Sequence, residues 1–261
     1  MPIENHKIVV VIPVYKSTLT HTEALSLKQC VGILKDFEIV IVKPKSLQLD
    51  SKFYDLPTKS FDDAYFKSVA TYNKLMLTTE FYAAFLQYNF MLLYQLDAYV
   101  FRNDLLEWCN KGYDYIGAPW ISTLYEKDFL YPLKKKIALW FKLKNADSGI
   151  YRDIIRTNTV GNGGFSLRNI HKFHAITISH RRAIVYYLSH NHHKMNEDIF
   201  WGIEVNRYFK RLNIPSVKVA LEFAFEASPS KHFEQKNGKL PFGCHAFELI
   251  EPDFWKRFID F

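Results

Sequence analysis

Long hydrophobic runs are missing from this sequence. No apolar stretch approaches the roughly 20 residues that a membrane-spanning helix needs. The opening Met1-Pro2-Ile3-Glu4-Asn5-His6-Lys7 is polar and leads straight into an apolar segment, unlike a secretory signal peptide. Cysteine is scarce. Cys30, Cys109 and Cys244 stand far apart, odd in number and without a CxxC pair. That favours a reduced, cytoplasmic setting over a disulfide scaffold. No Pro- or Gly-rich linker, internal repeat or low-complexity segment divides the chain, so residues 1–261 are expected to form one domain. GxGxxG and the P-loop pattern are both absent. So are the carboxylate cluster of a two-metal phosphoesterase or nuclease and the named RNA-binding patterns. The net charge of +7 favours anionic partners without choosing among nucleotide phosphates, a membrane surface and nucleic acid.

What is present reads as alternating strands and helices. Ile8 to Tyr15 is apolar without alternation, as in a strand buried on both faces. Helical spacing predicts a helix from Thr20 to Leu34, and Phe37 to Val42 is a second strand. Asp62 to Phe85 reads as mostly helical and Met91 to Phe101 as a buried strand. Asn103 is placed to cap a short helix through Cys109. Tyr113 to Trp120 is expected as a strand, Ile170 to Ser189 and Ile199 to Leu212 as helices, and Ser216 to Ala220 as a late strand. The β-α-β opening implies an α/β fold of Rossmann type, with a mixed, mostly parallel central sheet flanked by helices. Residues 133–144 mix lysines with apolar residues. Either they form a helix resting on an anionic membrane, or an ordinary surface helix with a solvated lysine face.

Four features carry chemical potential. Asp97 is a lone carboxylate in an apolar strand, costly unless paired or bound to metal. It is either a site residue at a strand end or the cap of the next turn. Gly161-Asn162-Gly163-Gly164 is either a backbone cradle with free N–H groups or a tight turn. Glu197-Asp198 opens a helix, as dipole partners or as a proton acceptor for a hydroxyl. His245 is either structural or an imidazole ligand to a divalent ion shared with Asp97.

Their order resembles the GT-A glycosyltransferases, whose elements are an aspartate motif (DxD) at a strand end, a glycine-rich loop, an xED motif and a C-terminal metal-binding histidine. The matching residues are Asp97-Ala98-Tyr99, Gly161 to Gly164, Asn196-Glu197-Asp198 and His245. The segment from Ser68 to Ala98 is similar to the glycogenin/galactosyltransferase-like group, with Lys74 standing where that group has an arginine near the sugar nucleotide. The strings QLDAYVF, GYDYIGAPW, GNGGFSLR, NEDIFW and PFGCHAF together resemble the DUF5672 family of bacterial glycosyltransferase-like proteins. One departure is Tyr99, which occupies the place of the second aspartate, a metal ligand in the family pattern.

The resemblance implies sugar transfer from a nucleotide-diphosphate sugar to a hydroxyl of a glycan or lipid-linked acceptor, in surface polysaccharide or lipopolysaccharide synthesis. Pro13, Val14 and Tyr15 would line the base and ribose pocket and Lys74 would face the diphosphate. Asp97 and His245 would hold Mn²⁺ or Mg²⁺, unless the enzyme is metal-independent. Asn162, Gly163 and Gly164 would flank the sugar. Asp198 would be the general base, with Glu197 and Trp201 near the acceptor and Trp201 equally a core residue. The location expected is cytoplasmic, at the inner face of the membrane through 133–144, with no nucleic-acid partner. The rival reading is a non-catalytic sugar-nucleotide or glycan-binding protein.

Overall fold

The computed structural model describes residues 3–50, 53, 55–122, 128–144, 153–190, 192 and 195–261. Residues 191, 193 and 194, in the polar run before Met195, lie outside the described residues. The centre is a six-stranded sheet. Strand β1 (Ile8–Pro13) lies between β2 (Glu38–Pro44) and β4 (Phe90–Tyr94), parallel to both. Strand β3 (Thr58–Phe61) extends the parallel side beyond β2. On the other side β9 (Phe165–Asn169) runs antiparallel to β4, and β6 (Tyr115–Gly117) antiparallel to β9.

The apolar run of β1 lacks alternation because both faces are covered. Val9 and Val11 enter one core with Val40, Val42, Met91 and Leu93. Ile8, Val10 and Ile12 enter the opposite core with Ile39, Ile41 and Leu92. Helix α1 (His21–Ile33) covers the second core through Leu27 and Cys30. Thr20 starts it with a capping box, taking the Glu23 N–H while the Glu23 carboxylate accepts the Thr20 N–H. The β-α-β unit of the sequence reading is thus present.

Several parts of the chain differ from expectation. Asp62 to Phe85 is a 3₁₀ turn (Asp63–Phe66), α2 (Val69–Leu75) and α3 (Thr79–Ala83). Asp62, Ser68 and Thr78 each cap a new start, so the chain turns three times where periodicity suggested one helix. The helix expected from Ile170 to Ser189 divides at His180 into α7 (Ile170–Ser179) and α8 (Arg181–Leu188). The helix expected from Ile199 is α9 (Glu197–Ile199) passing into a π-helical turn, Phe200–Glu204. Ser216 to Ala220 belongs to a helix, α10 (Val217–Phe223), which buries Ala220 and Phe223 one turn apart. Asn103 does not cap α4 (Leu105–Asn110). Asp104 holds that position, and the Asn103 amide donates to Asp36 at 2.8 Å.

The change that matters most lies in Met91 to Phe101. The run is two strands in two sheets. After β4 the chain turns at Gln95-Leu96-Asp97, where the Ala98 N–H donates to the Gln95 carbonyl at 2.9 Å. Strand β5 (Ala98–Val100) then pairs antiparallel with β11 (Gly243–His245), which lies parallel to β10 (Ala224–Phe225). This small sheet packs on its own aromatic core, which includes Tyr99, Phe247 and Trp255. All three cysteines are buried and unpaired. Among the described residues no helix is long and apolar enough to cross a membrane.

Trp201 stands in the first core, without solvent exposure, stacked on Phe173 at 4.0 Å and edge-on to Tyr82 at 5.7 Å. Its sugar-stacking role is therefore corrected to packing, because a fully covered ring has no face for a ligand. Trp201→Ala is expected to lower the unfolding free energy by about 3–5 kcal/mol in urea titrations. A variant as stable as the parent would contradict this placement.

Candidate active site

Three segments meet at one edge of the large sheet. Strands β1 and β4 are parallel, so Pro13 and the Gln95–Asp97 turn emerge on the same side. Strand β9 runs the other way, with Tyr94 opposite Phe165, so the glycine turn before it arrives at that edge too. This is where open α/β sheets bind ligands. A cavity of about 540 Å³ opens here, and Pro13, Val14, Tyr15, Tyr72, Gln95 and Asp97 are among its lining residues. Lys16 and Lys67 also line it. Lys74 does not: α2 buries Asn73 and Leu75 and turns Lys74 outward to solvent. The cations on the cavity wall are Lys16 and Lys67, and the diphosphate role expected of Lys74 finds no support in its position.

Asp97 and His245 come from different sheets and meet because β5 pairs with β11, with Ala98 opposite His245. Asp97 Oδ1 stands 3.2 Å from His245 Nε2. That oxygen is buried and has no hydrogen bond of good geometry. Burial raises the Asp97 pKa, but the His245 charge outweighs it and the net shift is downward. Burial likewise lowers the His245 pKa, while Asp97 and Glu226 overcome it and raise it to about 10.

The glycine turn supports the histidine. Asn162 adopts a left-handed conformation (φ 69°), and its Oδ1 accepts the N–H groups of Gly164 at 2.9 Å and Phe165 at 3.2 Å. Those N–H groups are therefore used inside the turn instead of facing a ligand. Asn162 Nδ2 lies 3.0 Å from His245 Nδ1. Any Cβ on Gly164 would lie 2.0 Å from His245 Nε2, and one on Gly163 would lie 2.1 Å from Glu197 Oε1. Both glycines are required for close approach.

Glu197 is buried and tied to Arg168, whose Nη2 donates to Glu197 Oε1 at 3.0 Å. Arg168 is itself fully buried on β9, also donating to Ser166 Oγ and the Tyr82 hydroxyl, each at 3.0 Å. Glu197 thus anchors the start of α9, and its partnered oxygen is unavailable to a proton. Asp198 is half-buried beside it. Burial, then the charges of Glu197 and Glu226, raise its pKa to about 7. A carboxylate tuned close to neutrality suits proton transfer.

The donor set fits a divalent ion. Two adjacent ligands about 2.1 Å from one ion lie about 3 Å apart at a right angle, close to the Asp97–His245 spacing of 3.2 Å. Tyr99 adds no ligand. Its ring is buried among Phe101 (5.4 Å) and Phe247 (5.9 Å). Among the described residues no group of three or more His, Cys, Asp or Glu side chains is placed to hold a metal. The protein would supply two ligands and leave the remaining positions to other oxygen donors, a mode magnesium tolerates. The sequence reading missed Glu226, Gln95 and Arg168. Arg168 had a signal, a charge inside an apolar strand, whereas Glu226 follows a two-residue strand and had none.

A search of curated proteins finds no match. Among solved structures the chain is similar to the galactosyltransferase LgtC in complex with donor and acceptor sugar analogs. The identity is 15%, the TM-score 0.49, and 91% of this chain and 86% of that one are covered. Mouse xyloside xylosyltransferase 1 in its apo form shares 11% identity at a TM-score of 0.48, over 90% of this chain and 96% of that one. Core-mannan synthase A from Aspergillus fumigatus, in an Mn/GDP form, shares 11% at a TM-score of 0.42, over 76% and 70%. Residues 55–245 match the family described as protein of unknown function (DUF5672), and the chain belongs to that family.

Proposed function

We propose that this chain is a GT-A-type glycosyltransferase that moves a sugar from a nucleotide-diphosphate sugar to a hydroxyl acceptor. The observation carrying this reading is the pairing of Asp97 Oδ1 with His245 Nε2 at the edge of a cavity lined by Pro13, Val14 and Tyr15. Those three residues would receive the base and ribose, with Tyr15 exposed and free to stack. Asp97 and His245 would hold Mn²⁺ or Mg²⁺, which when bound supplies Lewis-acid neutralisation of the leaving diphosphate. Lys16 and Lys67 add positive charge at the cavity wall.

Asp198 would accept the acceptor hydroxyl proton. The acceptor oxygen then bonds to the anomeric carbon, the bond from that carbon to the diphosphate oxygen breaks, and the nucleoside diphosphate leaves with the bonding pair. Asn162, Gly163 and Gly164 would border the sugar, and Glu197 would set the position of Asp198. A base in this role implies inversion. A non-catalytic sugar-nucleotide-binding reading draws on Tyr99, whose burial removes one ligand of the family pattern. It expects donor binding without turnover.

The acceptor we infer is a glycan on a lipid, reached at the inner face of a membrane by a cytoplasmic enzyme. Support comes from α5 (Tyr131–Trp140), where Leu130, Leu133, Ile137, Trp140 and Phe141 are exposed at helical spacing. Lys134 and Lys136 flank this stripe in solvent. Lys135 does not join them. Its ammonium donates inward to the carbonyls of Thr157 at 2.7 Å and Asn158 at 3.2 Å, and burial lowers its pKa to about 8.

Two experiments test these readings. In a panel of nucleotide sugars followed by proton NMR, turnover is expected to rise with pH as Asp198 deprotonates around pH 7, giving inverted product. Asp198→Asn should lower turnover at least about 100-fold and remove that pH dependence. Donor binding without turnover, or near-normal activity in the variant, would refute the catalytic role. In vesicle sedimentation, Lys134→Gln with Lys136→Gln is expected to weaken binding to anionic liposomes about tenfold. Unchanged binding would remove the membrane contact.

A further inference from the structure

Glu226 is neither a metal ligand nor the proton acceptor in the proposed reaction. It directly follows β10, and the register Phe225 opposite Cys244 sets it beside His245 on the neighbouring strand. Glu226 Oε1 lies 3.1 Å from His245 Nδ1. The side chains of both are mostly covered, at 17% and 13% exposure, so water competes little for this contact. The other ring nitrogen, Nε2, faces Asp97 Oδ1.

Nδ1 has a second neighbour. Asn162 Nδ2 lies 3.0 Å away. The amide orientation is determined, because Asn162 Oδ1 is committed to the N–H groups of Gly164 and Phe165. The two neighbours make opposite demands. The Glu226 carboxylate accepts, so it requires a proton on Nδ1. The Asn162 amide donates, so alone it would require a bare Nδ1 and send the neutral ring's proton to Nε2. A protonated Nε2 has no lone pair for a metal.

We propose that Glu226 is the positioning residue that selects the metal-binding tautomer of His245 against the opposing demand of Asn162. By holding the proton on Nδ1 it leaves the Nε2 lone pair directed at the space beside Asp97. Carboxylate partners of ligating histidines act in this way in general. The inference rests on the metal reading of Asp97 and His245 given above.

The test is Mn²⁺ binding by calorimetry to the intact protein, with no sugar present. Glu226→Ala is expected to weaken affinity about 10- to 100-fold. Glu226→Gln, which keeps an acceptor oxygen without the charge, should weaken it less. The double variant Glu226→Ala/His245→Ala should bind no more weakly than His245→Ala alone, which a merely structural contribution from Glu226 would not produce. Should the alanine variant fail to fold, the Gln variant decides by the same cycle. Unchanged affinity, or losses that add in the double variant, would overturn the role of Glu226 while leaving the metal site standing. Absence of Mn²⁺ binding by the parent protein would overturn the metal reading and this inference together.

Discussion

The site depends on one joint between two sheets. Strand β4 stops at Tyr94, the chain turns, and β5 leaves to pair with β11. That departure places Asp97 in the turn and sets Ala98 opposite His245. A continuous strand would keep Asp97 in the large sheet and carry the C-terminal histidine elsewhere. The turn is held by backbone bonds, from the Ala98 N–H to the Gln95 carbonyl at 2.9 Å and from the Gln95 N–H to the Gly164 carbonyl at 2.7 Å. The second of these ties the aspartate turn to the glycine turn. The Tyr94 hydroxyl adds a side-chain tie, lying 3.1 Å from both Ser26 Oγ and the Ala98 carbonyl.

Around this joint lie the carboxylates of Asp97, Glu197, Asp198 and Glu226. Crowding anions away from water is expensive. Two are offset by His245, which stands between Asp97 and Glu226, and one by Arg168, which holds Glu197. Among the described residues no cation is in contact with Asp198, and its pKa rises accordingly. Buried ion pairs add little net stability, since desolvation offsets their attraction. Their contribution here is placement: Arg168 fixes the start of α9 to β9, and His245 fixes the small sheet to the large one. In the function proposed, this division of the acids into paired and unpaired members would separate a leaving-group side from a proton-accepting side.

Much of the scaffold was legible in the chain. The run Ile8 to Tyr15 lacks polar alternation because it contains the central parallel strand, and helical spacing after Thr20 marks α1. Harder to read was everything decided by tertiary pairing. Nothing local marks the change of sheet after Tyr94, because both halves of the run are equally apolar. Ser216 to Ala220 suits a strand as well as a helix, and only its packing settles the choice. Asp97 and His245 could be joined in advance by resemblance, not by spacing, since they lie 148 positions apart. The outward turn of Lys74, and the choice between the ligand and core readings of Trp201, were hard to foresee for a shared reason. Periodicity identifies a helix but not which face the surrounding core will cover. Glu226 carried no signal, for its meaning comes entirely from a neighbour on the adjacent strand.

The central claim is that Asp97 and His245 jointly receive a divalent ion beside a bound diphosphate. It is tested most directly by crystals grown with Mn²⁺ and a nucleoside diphosphate, using anomalous scattering from manganese. The account expects one peak bonded to both Asp97 Oδ1 and His245 Nε2, with the diphosphate completing its coordination in the cavity beside Tyr15. A nucleoside diphosphate bound in that cavity with no manganese between these two side chains would contradict it.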